Sequence, residues 1–192
     1  MKLSVIFVLI LVSRVKLERT NNKPLLKLPI GEYRIDIKKI YSCNTTRQNN
    51  IHINYYLNKT SDNSKEIKGN ATLLMPFDDN LSMDVNFSIR GADGDWKNNT
   101  YIFHAEQAYT TSKNIMSKID TSGLGFNFKY PIPVGCYIST GFNTSNLENL
   151  NYIPKEFAYG LYKLRYILTD KKHQHFGCFV VIVQLKRPSE II

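Results

Sequence analysis

The 192-residue sequence predicts an all-β fold with one short helix, built as a two-sheet sandwich or cup around an apolar core or cavity. Three observations predict it. Beyond residue 30, apolar and polar residues alternate with period two through much of the chain, the mark of strands with one buried face. Only one stretch, Glu106 to Ile119, has helical character. The last apolar run, Phe176 to Val183, is apolar on both faces and so belongs at the centre of a sheet. About eight strands with one helix fit a sandwich or cup.

The elements follow in order. Residues 1–17 read as a secretory signal: Lys2 supplies a basic start, Leu3 to Val12 are almost entirely apolar, and cleavage is expected at about 13–19. The run falls short of the roughly 20 apolar residues that a membrane-spanning helix needs. A buried N-terminal core segment is the competing reading. Residues 18–29, polar, basic and proline-punctuated, read as a flexible lead, and residues 30–188 as one domain. Tyr33, Ile35 and Ile37 alternate with Arg34, Asp36 and Lys38; Ile51, Ile53, Tyr55 and Leu57 alternate with His52, Asn54 and Tyr56. Asn58 to Asn70 reads as a polar turn region, and Thr72 to Phe77 as a short strand ending at Asp78-Asp79. The clearest strand sets Leu81, Met83, Val85, Phe87 and Ile89 against Ser82, Asp84, Asn86, Ser88 and Arg90. Gly91 to Asp95 is a hairpin signal, Tyr101 to Ala105 a strand. The helix has Ala108, Ile115, Met116 and Ile119 as its apolar members and stops before Gly123 and Gly125. Phe126 to Tyr130 is extended, and Pro131 and Pro133 give a stiff lead into a strand from Cys136 to Thr140. A polar loop, Asn143 to Asn151, precedes two long strands, Ala158 to Thr169 and Gln174 to Leu185, joined at Lys171-Lys172.

Seven Asn-x-Ser/Thr sequons, at Asn44, Asn58, Asn70, Asn80, Asn86, Asn98 and Asn143, agree with a secreted, extracellular glycoprotein. Asn86 falls on the polar face of the clearest strand, where a glycan has to sit. The net charge of +9 invites a nucleic-acid reading, but the lysines are scattered and no basic stripe or short basic run appears. A mild preference for anionic surfaces is the sharper reading of that charge. Of three cysteines, Cys43, Cys136 and Cys178, two are expected to pair in an oxidising compartment.

Catalytic chemistry needs convergent acids, bases, nucleophiles or metal ligands. His173-Gln174-His175 lies beside a lysine turn with no acidic neighbour and reads as surface histidine; Asp78-Asp79 reads as a solvated turn; Asp93-Gly94-Asp95 lacks the further ligands of a calcium loop. No nucleophile elbow, zinc-protease or cysteine-protease pattern occurs. The expectation is no catalysis, no cofactor and no metal. What stands out is apolar content: 43% hydrophobic residues, with 12 Tyr and 10 Phe. A filled core and a lipid-lined cup both use such residues.

The order of motifs carries a resemblance. Tyr130-Pro131-Ile132-Pro133-Val134-Gly135-Cys136-Tyr137, Ile153-Pro154-Lys155, Phe157-Ala158-Tyr159-Gly160-Leu161-Tyr162-Lys163-Leu164-Arg165, Phe176-Gly177-Cys178 and Val183-Gln184-Leu185-Lys186-Arg187-Pro188 follow Pro76-Phe77-Asp78-Asp79 and Gly94-Asp95-Trp96-Lys97 upstream. Together they resemble secreted arthropod proteins related to the ML (lipid-recognition) and ganglioside-activator-like group, some linked to chemosensation or saliva. The resemblance spans roughly Tyr33 to Pro188. It implies a β-cup that takes up a lipid, and a disulfide between Cys43 and Cys178. Relatives often carry two further cysteines where this chain has Tyr109 and Tyr130; both are replaced together, as former partners would be. Cys136 is then the odd thiol, either buried and inert or paired outside this pattern.

The expected function is non-enzymatic binding of a lipid or other small hydrophobic ligand. Met83, Val85, Phe87, Ile89, Phe103, Ile115 and Leu161 are the expected apolar wall, and Lys113, Lys118 and Lys129 the candidates for an anionic head group. The alternatives are a packed-core effector or co-receptor that binds a protein, and a lipid-presenting activator of a separate hydrolase.

Overall fold

A computed structural model describes residues 32–43, 49–60, 64–117, 119–125, 129–147 and 157–189. The signal and lead expected over residues 1–29 lie outside the described residues, as does the expected extended run at 126–128. The fold is all-β with one short helix. Eight strands form: β1 (Arg34–Ser42), β2 (Ile51–Lys59), β3 (Lys65–Leu73), β4 (Ser82–Arg90), β5 (Trp96–Ala105), β6 (Gly135–Asn143), β7 (Gly160–Thr169) and β8 (His175–Lys186). The helix α1 is Ala108–Met116, and 3-10 turns occupy Ser122–Leu124 and Thr144–Leu147.

The strands are hydrogen-bonded in the order β5-β4-β7-β8-β2-β3-β6, with β1 paired to β8 off this path. β8 is therefore central, as its two apolar faces predict. Its ladders with β7 and β1 are long and antiparallel, whereas its link to β2 is the single parallel pair Ile51↔Gly177. The sheet thus has two branches, β5-β4-β7-β8-β1 and β2-β3-β6, meeting where Gly177 lies against Ile51. A Cβ on Gly177 would stand 3.1 Å from both the Cβ and the carbonyl oxygen of Ile51, so the absence of a side chain there permits the close approach.

Several boundaries differ from the sequence expectation. The polar region ending at Asn70 is not all turn: Lys65 to Asn70 belong to β3, which pairs along its whole length with β2. Ile67, Ala71 and Leu73 supply its buried face, and Gly69 (φ +121°) takes up an irregularity against β6 that no L side chain adopts readily. The short strand expected to reach Phe77 stops at Leu73, and Phe77 makes an isolated bridge with Ile132. β5 begins five residues early, at Trp96, because the Gly91–Asp95 turn closes at once: Gly91 N–H donates to the Asp95 carbonyl at 2.8 Å. The helix is shorter at both ends than Glu106 to Ile119.

The start of α1 is held from outside. The Ala108 N–H donates to the Leu81 carbonyl at 2.9 Å. Asp79 accepts from the Thr110 N–H at 2.8 Å and from its hydroxyl at 2.6 Å. Asp79 is thus no mere solvated turn residue; a remote carboxylate satisfies a donor at the helix start that no local cap serves.

One charged cluster ties β1 to both branches. Asp36 meets Lys38 at 2.6 Å and Lys186 at 3.2 Å, and also pairs with Lys65 at the start of β3. Burial acts to raise the Asp36 pKa, but hydrogen bonds from Lys38, Lys65 and Lys186 outweigh it and hold the carboxyl at about 2. A depressed folded-state pKa adds stability that is complete above the unfolded value near 4 and is lost as pH falls towards 2. Acid titration of unfolding should therefore show a loss between about pH 4 and 2 that Asp36→Asn removes; equal acid slopes in both proteins would refute it.

Candidate ligand-binding cavity

The alternating apolar faces do not close completely on each other. A cavity of about 280 Å³ remains inside. Its walls come from both branches: Ile35, Ile37 and Ile40 of β1; Met83 and Phe87 of β4; Tyr162, Leu164 and Tyr166 of β7; Phe179, Val181, Val183 and Leu185 of β8; and, across from these, Tyr55 of β2 and Ile67 of β3. Ser112, Ile115 and Met116 of α1 complete it, with Leu124, Leu147 and Phe157. A second cavity of about 220 Å³ adjoins it, reaching Ile51, Ile53, Leu73, Phe77 and Ile132. Met83, Ser112, Met116, Leu124, Tyr166 and Phe179 wall both. Together the two approach the size of small-molecule sites, which hold about 300–1,000 Å³.

The chemistry of the lining is uniform. None of these side chains carries a charge at neutral pH. Burial alone pushes the Tyr55 and Tyr166 phenols up, Tyr166 to about 12. Burial also raises Tyr162, to about 12, and its hydroxyl donates to the Ala158 carbonyl at 2.8 Å. Phe157 stacks on Phe87 at 5.2 Å and meets Tyr162 and Tyr101 edge-on at 5.9 and 5.4 Å, so aromatic rings close one part of the wall.

Of the seven residues expected on the wall, Met83, Phe87 and Ile115 line the larger cavity. Val85 and Ile89 are buried in the core but line neither cavity, and Phe103, opposite Val85 in β5, is half-buried and packs against that core. Leu161 faces the other way. It shares its side of β7 with Lys163 and Arg165, while Tyr162, Leu164 and Tyr166 face the cavity. Lys113 and Lys129 line neither cavity: both are exposed, the Lys113 ammonium 6.0 Å from the Tyr109 ring, and Lys118 lies outside the described residues. Tyr55, Ile67, Tyr166, Phe179 and Val181 are among the seventeen wall residues that sequence reading does not place there. The parity of Lys163 and Arg165 was the available signal on β7; β8 offers none, because both its faces are apolar.

The Cys43–Cys178 disulfide is present, with Cα atoms 5.4 Å apart across 135 residues. Cys136 is free and exposed, contrary to the buried alternative, with Asn70 Nδ2 3.8 Å and Thr72 Oγ1 3.7 Å from its sulfur. Tyr109 and Tyr130, the two positions where the resemblance places missing cysteines, touch: their rings lie 4.9 Å apart, edge to face. Tyr109 is only 2% exposed. Six of the seven sequon asparagines are described, and none lines either cavity; Asn80, Asn98 and Asn143 are exposed, Asn58, Asn70 and Asn86 half-buried on strands. Asn44 lies outside the described residues. His173 (φ +60°) sits in the β7–β8 turn while His175 begins β8, so the two do not share a strand face, and His104 pairs with Asp84 at 2.6 Å. No helix among the described residues is long and apolar enough to cross a membrane.

No protein-family model matches the chain, and neither does any curated protein.

Proposed function

We propose that this chain is a secreted, non-enzymatic carrier or recognition protein that holds a lipid or other small hydrophobic molecule between the two branches of its sheet, which act as the walls of a cup. The observation that carries this reading is the cavity itself, an uncharged interior volume walled from six strands and the helix. Burying an apolar chain there is favourable by about 25 cal/mol per Å² of surface removed from water. The contact between Tyr109 and Tyr130 supports the resemblance to the ML-like group, since positions that once held a disulfide must be neighbours. The six described sequon asparagines, clear of both cavities, support a glycosylated exterior.

Native mass spectrometry of the secreted, deglycosylated protein tests it. A stoichiometric lipid is expected in the wild-type complex and in its organic extract. Ile115→Trp, which drives an indole from α1 into the cavity, should lower lipid uptake at least about tenfold while costing no more than about 1–3 kcal/mol of stability. A clean apo mass with no uptake of added lipid would overturn the reading.

One observation favours a second reading, a protein-binding role. Among the described residues β6 pairs only with β3, and around it Tyr130, Val134 and Ile138 are 59%, 57% and 64% exposed. A lipid-free protein that instead captures a defined protein partner through this edge would move the assignment there.

A further inference from the structure

The carrier reading leaves the ligand's chemistry open, and the cavity wall narrows it. A lipid can be a hydrocarbon, an acid with a charged head, or a neutral molecule bearing oxygen. These make different demands on the wall.

Four of the twenty side chains around the larger cavity carry a hydroxyl: Tyr55, Ser112, Tyr162 and Tyr166. Tyr162 is already engaged with the Ala158 carbonyl. Tyr55 is not: its hydroxyl is buried and has no hydrogen-bond partner among the described residues. A buried hydroxyl without a partner has given up its water and received nothing in return. Tyr166 walls both cavities and so stands where they meet. It lies on β7, in one branch of the sheet, while Tyr55 lies on β2, in the other. A bridging water needs roughly 2–4 polar partners, and apart from these four hydroxyls the described lining side chains offer none.

The absence of charge among these side chains matters as much. Among the described residues, no lysine, arginine or histidine lines either cavity. A carboxylate drawn inside would lose its hydration with no cation to compensate, so it would bind only after taking up a proton. A pure hydrocarbon would fit but would leave the Tyr55 hydroxyl as it is.

We infer that the ligand is an uncharged, oxygen-bearing lipid, such as a long-chain ester or alcohol, whose oxygen is received by the hydroxyls of Tyr55 and Tyr166. This rests on the carrier reading and refines it. The hydrophobic chain supplies affinity without direction, and the two phenols fix where the oxygen sits.

The test compares ligands that share one chain and differ in the head: dodecane, dodecanol, dodecyl acetate and dodecanoate, each titrated into the full-length protein by native mass spectrometry at neutral pH. Dodecyl acetate is expected to bind at least about tenfold more tightly than dodecanoate, whose binding recovers as pH falls through its carboxyl pKa. In the double variant Tyr55→Phe with Tyr166→Phe, dodecanol and dodecyl acetate should each weaken by roughly tenfold, while dodecane stays within about twofold of wild type. Tyr55→Phe by itself should be at least as stable as wild type, because it deletes a hydroxyl that bonds to nothing. The inference is overturned if dodecanoate binds as tightly as the acetate, or if the double variant weakens all the uncharged ligands alike or none of them. Wild-type selectivity alone decides the first point, whatever the variant's folding. Failure of all four ligands to bind would remove the carrier reading itself, a separate outcome.

Discussion

Cys43→Ala with Cys178→Ala should lower the melting temperature by roughly 5–20 °C, the largest loss expected of any change outside the core. The bond joins the end of β1 to β8 across 135 residues. In the chain-entropy model, closing a loop that long withdraws roughly 5 kcal/mol of freedom from the unfolded chain, and natural disulfides of this kind are worth about 2–5 kcal/mol when removed. Folded proteins have only about 5–15 kcal/mol in hand. Urea unfolding distinguishes the mechanism. If the bond acts on the unfolded chain, the variant's midpoint falls and its denaturant slope rises, because an uncrosslinked chain exposes more surface. Reduced wild-type protein should behave as the variant does. A midpoint that ignores both substitution and reductant would show that the sheet closes without help from the bond.

Phe142→Ala should cost about 3–5 kcal/mol, read as a lower urea midpoint at an unchanged slope. Phe142 is among the largest fully buried side chains, 2% exposed, and faces Ile67 from β6. It is also badly placed for repair. Gly123, in the turn behind it, has its Cα so close to the Phe142 backbone that a Cβ there would lie 3.0 Å from the Phe142 Cα. The adjoining Ser139 hydroxyl, at 2.7 Å from both the Ile67 and Gly123 carbonyls, fixes strand and turn together. Such a site collapses little, so most of the void persists. β6 is an edge strand with one partner, and its loss should appear in hydrogen exchange as opening confined to β6 and its neighbour β3. A loss below about 1 kcal/mol would mean that this edge repacks freely.

Much of this architecture is legible in the sequence, and the parts that are not share a cause. β4 is read almost to the residue because its two faces differ at every step from Ser82 to Arg90. The hairpin at Gly91–Asp95 follows from residue types that favour turns. β3 is misread because Lys65, Glu66, Lys68 and Asn70 look like loop; its strand character comes from pairing with β2 on one side and β6 on the other, a tertiary effect invisible to local propensity. Asp79 capping Thr110 joins positions 31 apart, beyond any local motif. At the candidate site, alternation identifies Met83 and Phe87 but cannot say that Val85 and Ile89, on the same face, pack solidly. Leu161 is an error of parity that Lys163 and Arg165 could have corrected. Lys113 and Lys129 line neither cavity for a plainer reason: nearness to the helix in sequence does not place a side chain on its inner face.

The place of β8 has a kinetic consequence. It is the last strand in chain order, yet both branches of the sheet are joined through it: β1 by a full ladder, β2 by one pair at Gly177, β7 along most of its length. Until β8 is present, β1 has no ladder, nothing joins the β5-β4-β7 ladder to the β2-β3-β6 ladder, and Cys43 has no partner. Early local structure therefore cannot be capitalised into a closed fold, and the rate-limiting event is a meeting of remote segments, which places folding in the millisecond-to-second range typical of non-local β topologies. During that interval several strand edges stay open at once. A fold assembled this way acquires its interior in the same step that completes its sheet, so any chain stopped short of β8 has neither.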